Sequence, residues 1–196
     1  MKGRYEIRLT GSGGQGLITA GIILAEAAIL DGLNVVQTQS YGPEARGGAS
    51  KAEVIIASDE IDYPKVATPD VVLAMTQEAC NKYAGALKVD GLLIVDSALV
   101  AEVPEVSGRV YRIPITALAR DRVGKPITAN IVALGALTAI TGVVSDESLR
   151  RAVARRVPRG TERLNDIALS VGIEAVTQKQ LGSAGKLGGQ RERGKG

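Results

Sequence analysis

The stretch LTGSGGQGLITAG, Leu9 to Gly21, places four glycines within six residues, between an apolar run and a long Ala/Ile/Leu segment. Upstream, residues 4–10 (RYEIRLT) alternate as a half-buried strand does, and residues 16–31 carry helical spacing downstream. The glycines therefore sit in a strand-to-helix turn. Further along, 33–39 (NVVQTQS) reads as a second strand, ending in the loop SYGPEARGGA (40–49), and 50–58 as a third. The apolar runs DVVLAM (70–75) and GLLIVDS (91–97) fit buried strands, with helical spacing over 77–88 between them. A strand at 109–115 leads to a helical segment at 116–123, and 130–142 reads as a small-residue helix with Gly142 as its C-cap. Ser145 opens another helix, whose Arg150, Arg151, Arg155 and Arg156 form either a solvated face or a binding patch. The last helix spans Thr161 to Gly172. This alternation predicts an α/β fold, a three-layer α/β/α sandwich with a largely parallel sheet, as one domain over residues 1–180. Residues 181–196, rich in Gly, Lys and Arg, are expected to form a disordered tail.

Composition narrows the chemistry. The chain has 24 basic and 21 acidic residues; the last 16 residues hold four and one of these, so the first 180 carry 20 of each. A pI of 9.1 thus reflects the tail, and the body offers no general nucleic-acid or membrane surface. There is no histidine, which removes the usual general base and zinc ligand, and one cysteine, Cys80, which cannot ligate an iron–sulfur cluster alone. No apolar run is long enough to span a bilayer, and the N-terminus enters a strand rather than a signal segment. The expected setting is the cytoplasm. No metal ligand set and no catalytic group is assigned to this chain.

Gly11, Gly13 and Gly16 satisfy the G-x-G-x-x-G spacing. A helix N-terminus with close backbone access suits an anion, and Ser12, Gly14 and Gln15 extend the candidate cradle. A dinucleotide site also needs an acid at the end of the second strand, where Gln37-Thr38-Gln39-Ser40 stands instead. Leu17 occupies the place a P-loop gives to lysine. The alternative reading is a tight turn that needs positive φ and close packing.

The loop at 40–49 follows a strand too, so in a parallel sheet both loops emerge at the carboxyl edge. Gly42-Pro43 forces an extended entry, Gly47 and Gly48 permit close approach, and Arg46 is a planar donor suited to phosphate or carboxylate. Glu44 orients Arg46 or faces a partner; Tyr41 and Tyr63 stack on a ligand or simply pack. An exposed loop with a weak Glu44–Arg46 pair is the bland alternative. Asn130 is a further candidate contact, with an N-cap role as its structural explanation.

The segments GSGGQGLITAGIILAEAA, QSYGPEARGGASKAEVIIAS, EIDYP and ANIVALGALTAITGVVS, in this order from about Tyr5 to about Gly172, resemble the gamma subunit of 2-oxoacid:ferredoxin oxidoreductases. The S-Y-G-P-E-A-R-G-G form is most similar to the 2-oxoglutarate branch. The resemblance implies the fold of the gamma domain of pyruvate:ferredoxin oxidoreductase. It also implies alpha, beta and ferredoxin-like companion subunits, which carry thiamine diphosphate, Mg and iron–sulfur clusters. Such a complex converts a 2-oxoacid, coenzyme A and oxidised ferredoxin to acyl-CoA, CO2 and reduced ferredoxin. The share implied for this chain is to pack against the catalytic subunits and to help hold coenzyme A; with the two loops on one edge, Gly11 to Gly16, Tyr41, Glu44, Arg46, Gly47, Gly48 and Asn130 are the candidates to face coenzyme A or the thiamine-bearing subunit. A purely scaffolding subunit and a stand-alone NAD(P)-binding oxidoreductase are the competing readings.

Overall fold

The computed structural model describes residues 3–40 and 49–188. A six-stranded sheet runs in the order β2-β3-β1-β4-β5-β6, with β1 at Arg4–Ser12, β2 at Asn34–Ser40, β3 at Ala49–Ala57, β4 at Val71–Ala74, β5 at Leu92–Asp96 and β6 at Arg109–Ile113. Strands β1, β4, β5 and β6 pair in parallel; β3 is antiparallel to both β1 and β2. The sheet is therefore mixed, parallel on one side and a hairpin on the other. The cause is chain length: eight residues separate β2 from β3, and a parallel crossover needs a dozen or more. Because β2 and β1 are both antiparallel to β3, they run in the same direction. Their carboxyl ends thus share one edge, as expected, although the strand between them runs the other way.

Helix α1 (Leu17–Leu30) follows the glycine turn, α2 (Gln77–Tyr83) follows β4, and α3 (Ile115–Leu118) follows β6 and widens into a π turn at Ala119–Val123. A 3-10 turn, Pro126–Thr128, then leads into α4 (Ala129–Thr141), followed by α5 (Asp146–Arg156) and α6 (Glu162–Gly188). Gly142 ends α4 at φ 59°, the left-handed C-cap its position predicts. Ser145 caps α5, its hydroxyl accepting the Ser148 N–H at 3.2 Å. Helix α6 runs past Gly172 and into the 181–196 segment. Residues 173–188 contain no proline, and their Gln, Lys, Leu and Ala residues propagate a helix readily.

Strand alternation makes two cores. One face of the sheet sets Ile7, Leu9, Val54, Ile56, Leu73 and Ile94 against α1 and α4. The opposite face sets Val72, Ala74, Leu93 and Val95 against Cys80 and Ala84 from the α2 region and against Val100. Helix α4 is buried at every position from Ala129 to Thr138, as a helix apolar on all sides must be. It crosses α6 at backbone contact: a Cβ on Gly135 would lie 2.2 Å from the Leu169 carbonyl oxygen, and one on Gly172 would lie 2.1 Å from that of Val132.

The second face also carries a polar cluster that composition does not reveal. Arg8 on β1 and Glu53 on β3 are opposite each other and 6% and 9% exposed. The Arg8 Nε donates to Glu53 Oε1 at 2.8 Å, its second nitrogen donates to the Val66 carbonyl at 2.9 Å, and Lys51 approaches the same carboxylate at 3.1 Å. A buried pair of this kind holds only because each charge has partners. Among the described residues, no helix is long and apolar enough to cross a membrane.

Candidate functional site at the glycine loop

Strand β1 continues through Gly11 and Ser12, so these two belong to the sheet and not to the loop. Gly11 is required by packing: a Cβ there would meet Gln15 Oε1 at 2.2 Å, Leu17 Cδ1 at 2.7 Å and Met75 Cβ at 3.0 Å. The chain then turns through Gly14, at φ 87°, and Gly16, at φ 71°, where only glycine is free of strain. Gly13 and Gly14 have open space where a Cβ would stand. Nothing steric demands glycine at 13.

Two side-chain amides clamp this turn. Gln15 folds back, its Oε1 accepting the Ser12 N–H at 2.8 Å and its Nε2 lying 3.5 Å from the Met75 carbonyl. Asn130 reaches across from α4 and donates from Nδ2 to the Gly16 carbonyl at 3.2 Å, while its Oδ1 accepts the Ile131 N–H at 3.0 Å. Asn130 is not the N-cap of α4; Thr128 holds that position, and Asn130 lies one residue inside the helix. Both candidates thus contact protein, and what the turn offers outward is its backbone.

That backbone is open. The N–H groups of Gly13, Gly14, Gly16, Leu17, Ile18 and Thr19 meet no acceptor among the described residues. Helices α2 and α5 begin differently, each with a hydroxyl cap and with acids in the first turn, whereas α1 has neither. Gly13, Gly14, Gly16, Leu17, Ile18 and Ser50 line a shallow pocket of about 210 Å3 over these groups. Ser50 is absent from the sequence-level candidates. Its hydroxyl donates to the Gly11 and Ser12 carbonyls at 3.4 and 3.3 Å, a placement that depends on the β1–β3 register. Beside the loop, Thr19, Ile23, Ile127, Asn130, Ile131 and Leu164 help to line a groove of about 340 Å3, where Ile127 is 83% exposed.

Tyr41, Glu44, Arg46, Gly47 and Gly48 lie outside the described residues. Tyr63 stands exposed, and its carbonyl accepts a hydrogen bond from Arg4 at 2.9 Å. Three arginines of α5 form ion pairs: Arg150 with Asp146 at 2.8 Å and with Asp166, Arg151 with Glu147 at 4.0 Å, and Arg156 with Glu26 at 2.8 Å.

Among the described residues no three of His, Cys, Asp or Glu converge. Cys80 is fully buried, and burial pushes its thiol up, against the opposing pull of Arg112. A protonated core thiol is a packing group.

Comparison with known proteins places the chain. A family model described as pyruvate ferredoxin/flavodoxin oxidoreductase matches residues 6–177. The chain is 50% identical over 181 residues to the 2-oxoglutarate synthase subunit KorC of Methanocaldococcus jannaschii, covering 91% of this chain and 97% of the relative. It is 36% identical over 152 residues to the pyruvate synthase subunit PorC of the same organism, covering 76% and 83%. Among solved structures, the gamma subunit of a keto/oxoacid ferredoxin oxidoreductase from Geobacter sulfurreducens superposes with a TM-score of 0.81 at 51% identity, covering 89% of this chain and 99% of that one. The chain therefore belongs to the pyruvate ferredoxin/flavodoxin oxidoreductase family, among its gamma subunits.

Proposed function

We propose that this chain is the gamma subunit of a cytoplasmic 2-oxoglutarate:ferredoxin oxidoreductase. The complex cleaves CO2 from the 2-oxoacid, transfers the acyl group to coenzyme A and passes the released electron pair to ferredoxin. The observation that carries this reading is 50% identity to the 2-oxoglutarate synthase subunit across nearly the full length of both chains, against 36% for the pyruvate counterpart. With no histidine and one buried cysteine, this chain leaves thiamine diphosphate, Mg and the iron–sulfur clusters to alpha, beta and ferredoxin-like companions.

Its own contribution is the edge where β1 and β2 end. The open N–H groups of Gly13, Gly14 and residues 16–19 and the cation of Arg46 suit a phosphate of coenzyme A. Arg46→Ala should raise the KM for coenzyme A about tenfold, since a charge-assisted hydrogen bond contributes roughly 1.5–3 kcal/mol. One observation favours a second reading, a scaffolding role without ligand contact. The Gln15 and Asn130 amides face protein, and Gly11 and Gly16 are explained by packing. Under that reading Arg46→Ala impairs assembly and leaves the KM for coenzyme A unmoved in intact complex.

The test of the enzyme assignment is co-purification of the chain with its companions and an assay of viologen reduction dependent on coenzyme A. Reduction with 2-oxoglutarate and little with pyruvate supports the assignment. The reverse preference moves the complex to the pyruvate branch, and a lone, colourless, inactive chain overturns it.

A further inference from the structure

We infer that Asn130 is a positioning residue of the glycine loop: from the first turn of α4 its amide sets Gly16, and thereby the direction in which the loop N–H groups point. The inference rests on the reading above that this loop faces coenzyme A. Asn130 is 9% exposed and separated from Gly16 by 114 residues of chain. Its Nδ2 holds the Gly16 carbonyl at 3.2 Å and lies 2.7 Å from where a Gly16 Cβ would stand, so the amide packs directly on the Gly16 α-carbon. Its Oδ1 is held in turn by the Ile131 N–H at 3.0 Å, which orients the amide and aims Nδ2 at the loop.

The Gly16 carbonyl also accepts the Ala20 N–H at 2.9 Å, the first hydrogen bond of α1. Asn130 therefore touches the peptide at which the loop becomes helix. Gln15 secures the other side of the turn by holding the Ser12 N–H. A loop fixed at both ends keeps its N–H groups aimed before any ligand arrives, and a misplacement of about 1 Å in such a site is costly.

An aspartate separates positioning from stability. Asn130→Asp keeps an acceptor for the Ile131 N–H and places a negative charge in a first helical turn, where it is tolerated. It replaces the donor facing Gly16 with an oxygen that repels the carbonyl. In the assembled enzyme at saturating 2-oxoglutarate, Asn130→Asp should raise the KM for coenzyme A about tenfold, with kcat within about twofold. Amide hydrogen exchange of residues 12–18 in the same complex should accelerate.

Gly13→Asp is the companion variant. It fits sterically, because nothing lies within 4 Å of its Cβ, and it brings a carboxylate directly into the loop. If Gly13→Asp raises the KM for coenzyme A and Asn130→Asp does not, the positioning role is overturned while the ligand reading stands. If Gly13→Asp leaves KM unchanged, the ligand reading falls. Exchange then decides alone: acceleration over 12–18 in Asn130→Asp supports positioning, and unchanged protection overturns it.

Discussion

The glycines at the α4–α6 crossing and those of the loop after β1 are the same residue for opposite reasons. Gly135 and Gly172 let two helix backbones touch, with carbonyl oxygens 2.2 and 2.1 Å from where their Cβ atoms would stand. Gly13 and Gly14 face open space, and Gly14 adopts φ 87°. Gly16 belongs to both groups, at φ 71° with the Asn130 amide against it. A crossing glycine supports stability and is blind to ligand. A loop glycine shapes an opening, and its value appears only when something enters.

Substitutions should divide along that line. The largest effect belongs to Gly172→Ala, where the obstacle is backbone and cannot swing aside. The gain in helix propensity of roughly 1 kcal/mol does not offset an overpacking cost of about 3 kcal/mol or more. For a chain of this size the melting temperature should fall by roughly 5–10 °C, read by thermal unfolding. A fall of less than a degree would mean that the helices part easily, and the comparison would break there.

Gly16→Ala comes next. Left-handed backbone costs a residue with a Cβ about 1–2 kcal/mol, and the Asn130 amide must move as well. A loss of about 2 kcal/mol by denaturant titration is expected, together with a higher KM for coenzyme A in the complex. Asn130→Ala should cost about 1 kcal/mol, because the Gly16 carbonyl retains its helical partner while the Ile131 N–H loses its own. Gly13→Ala should be smallest in stability, within about 0.5 kcal/mol of the parent or slightly stabilising, since its space is open and its φ is not positive. A loss above 2 kcal/mol there would show that Gly13 is a packing glycine after all.

The glycine motif was legible as a turn and ambiguous as a site, and the ambiguity has a physical source. Spacing alone cannot say whether a missing Cβ is needed for φ, for a neighbouring atom or for a ligand. Gly11 answers to Gln15 and Met75, Gly16 to φ and Asn130, and neither partner of Gly11 or Gly16 could be paired with it from spacing. The N-cap assigned to Asn130 failed for a related reason. Thr128, the last residue of the 3-10 turn at Pro126–Thr128, takes the cap position two residues before Asn130, and local propensity does not resolve such shifts.

Local pattern by itself determined the strands, the helices they alternate with and the Gly142 and Ser145 caps, because periods of 2 and 3.6 and cap preferences act over a few neighbouring residues. The family, too, was readable from the order of its motifs. Tertiary structure alone decided that Arg8 meets Glu53 beneath the sheet, that Gly135 and Gly172 bring α4 onto α6, and that Asn130 meets Gly16 across 114 residues. These contacts arise from register and from packing between distant elements. Each is selected by the free energy of the whole assembled core, which no short window of sequence contains.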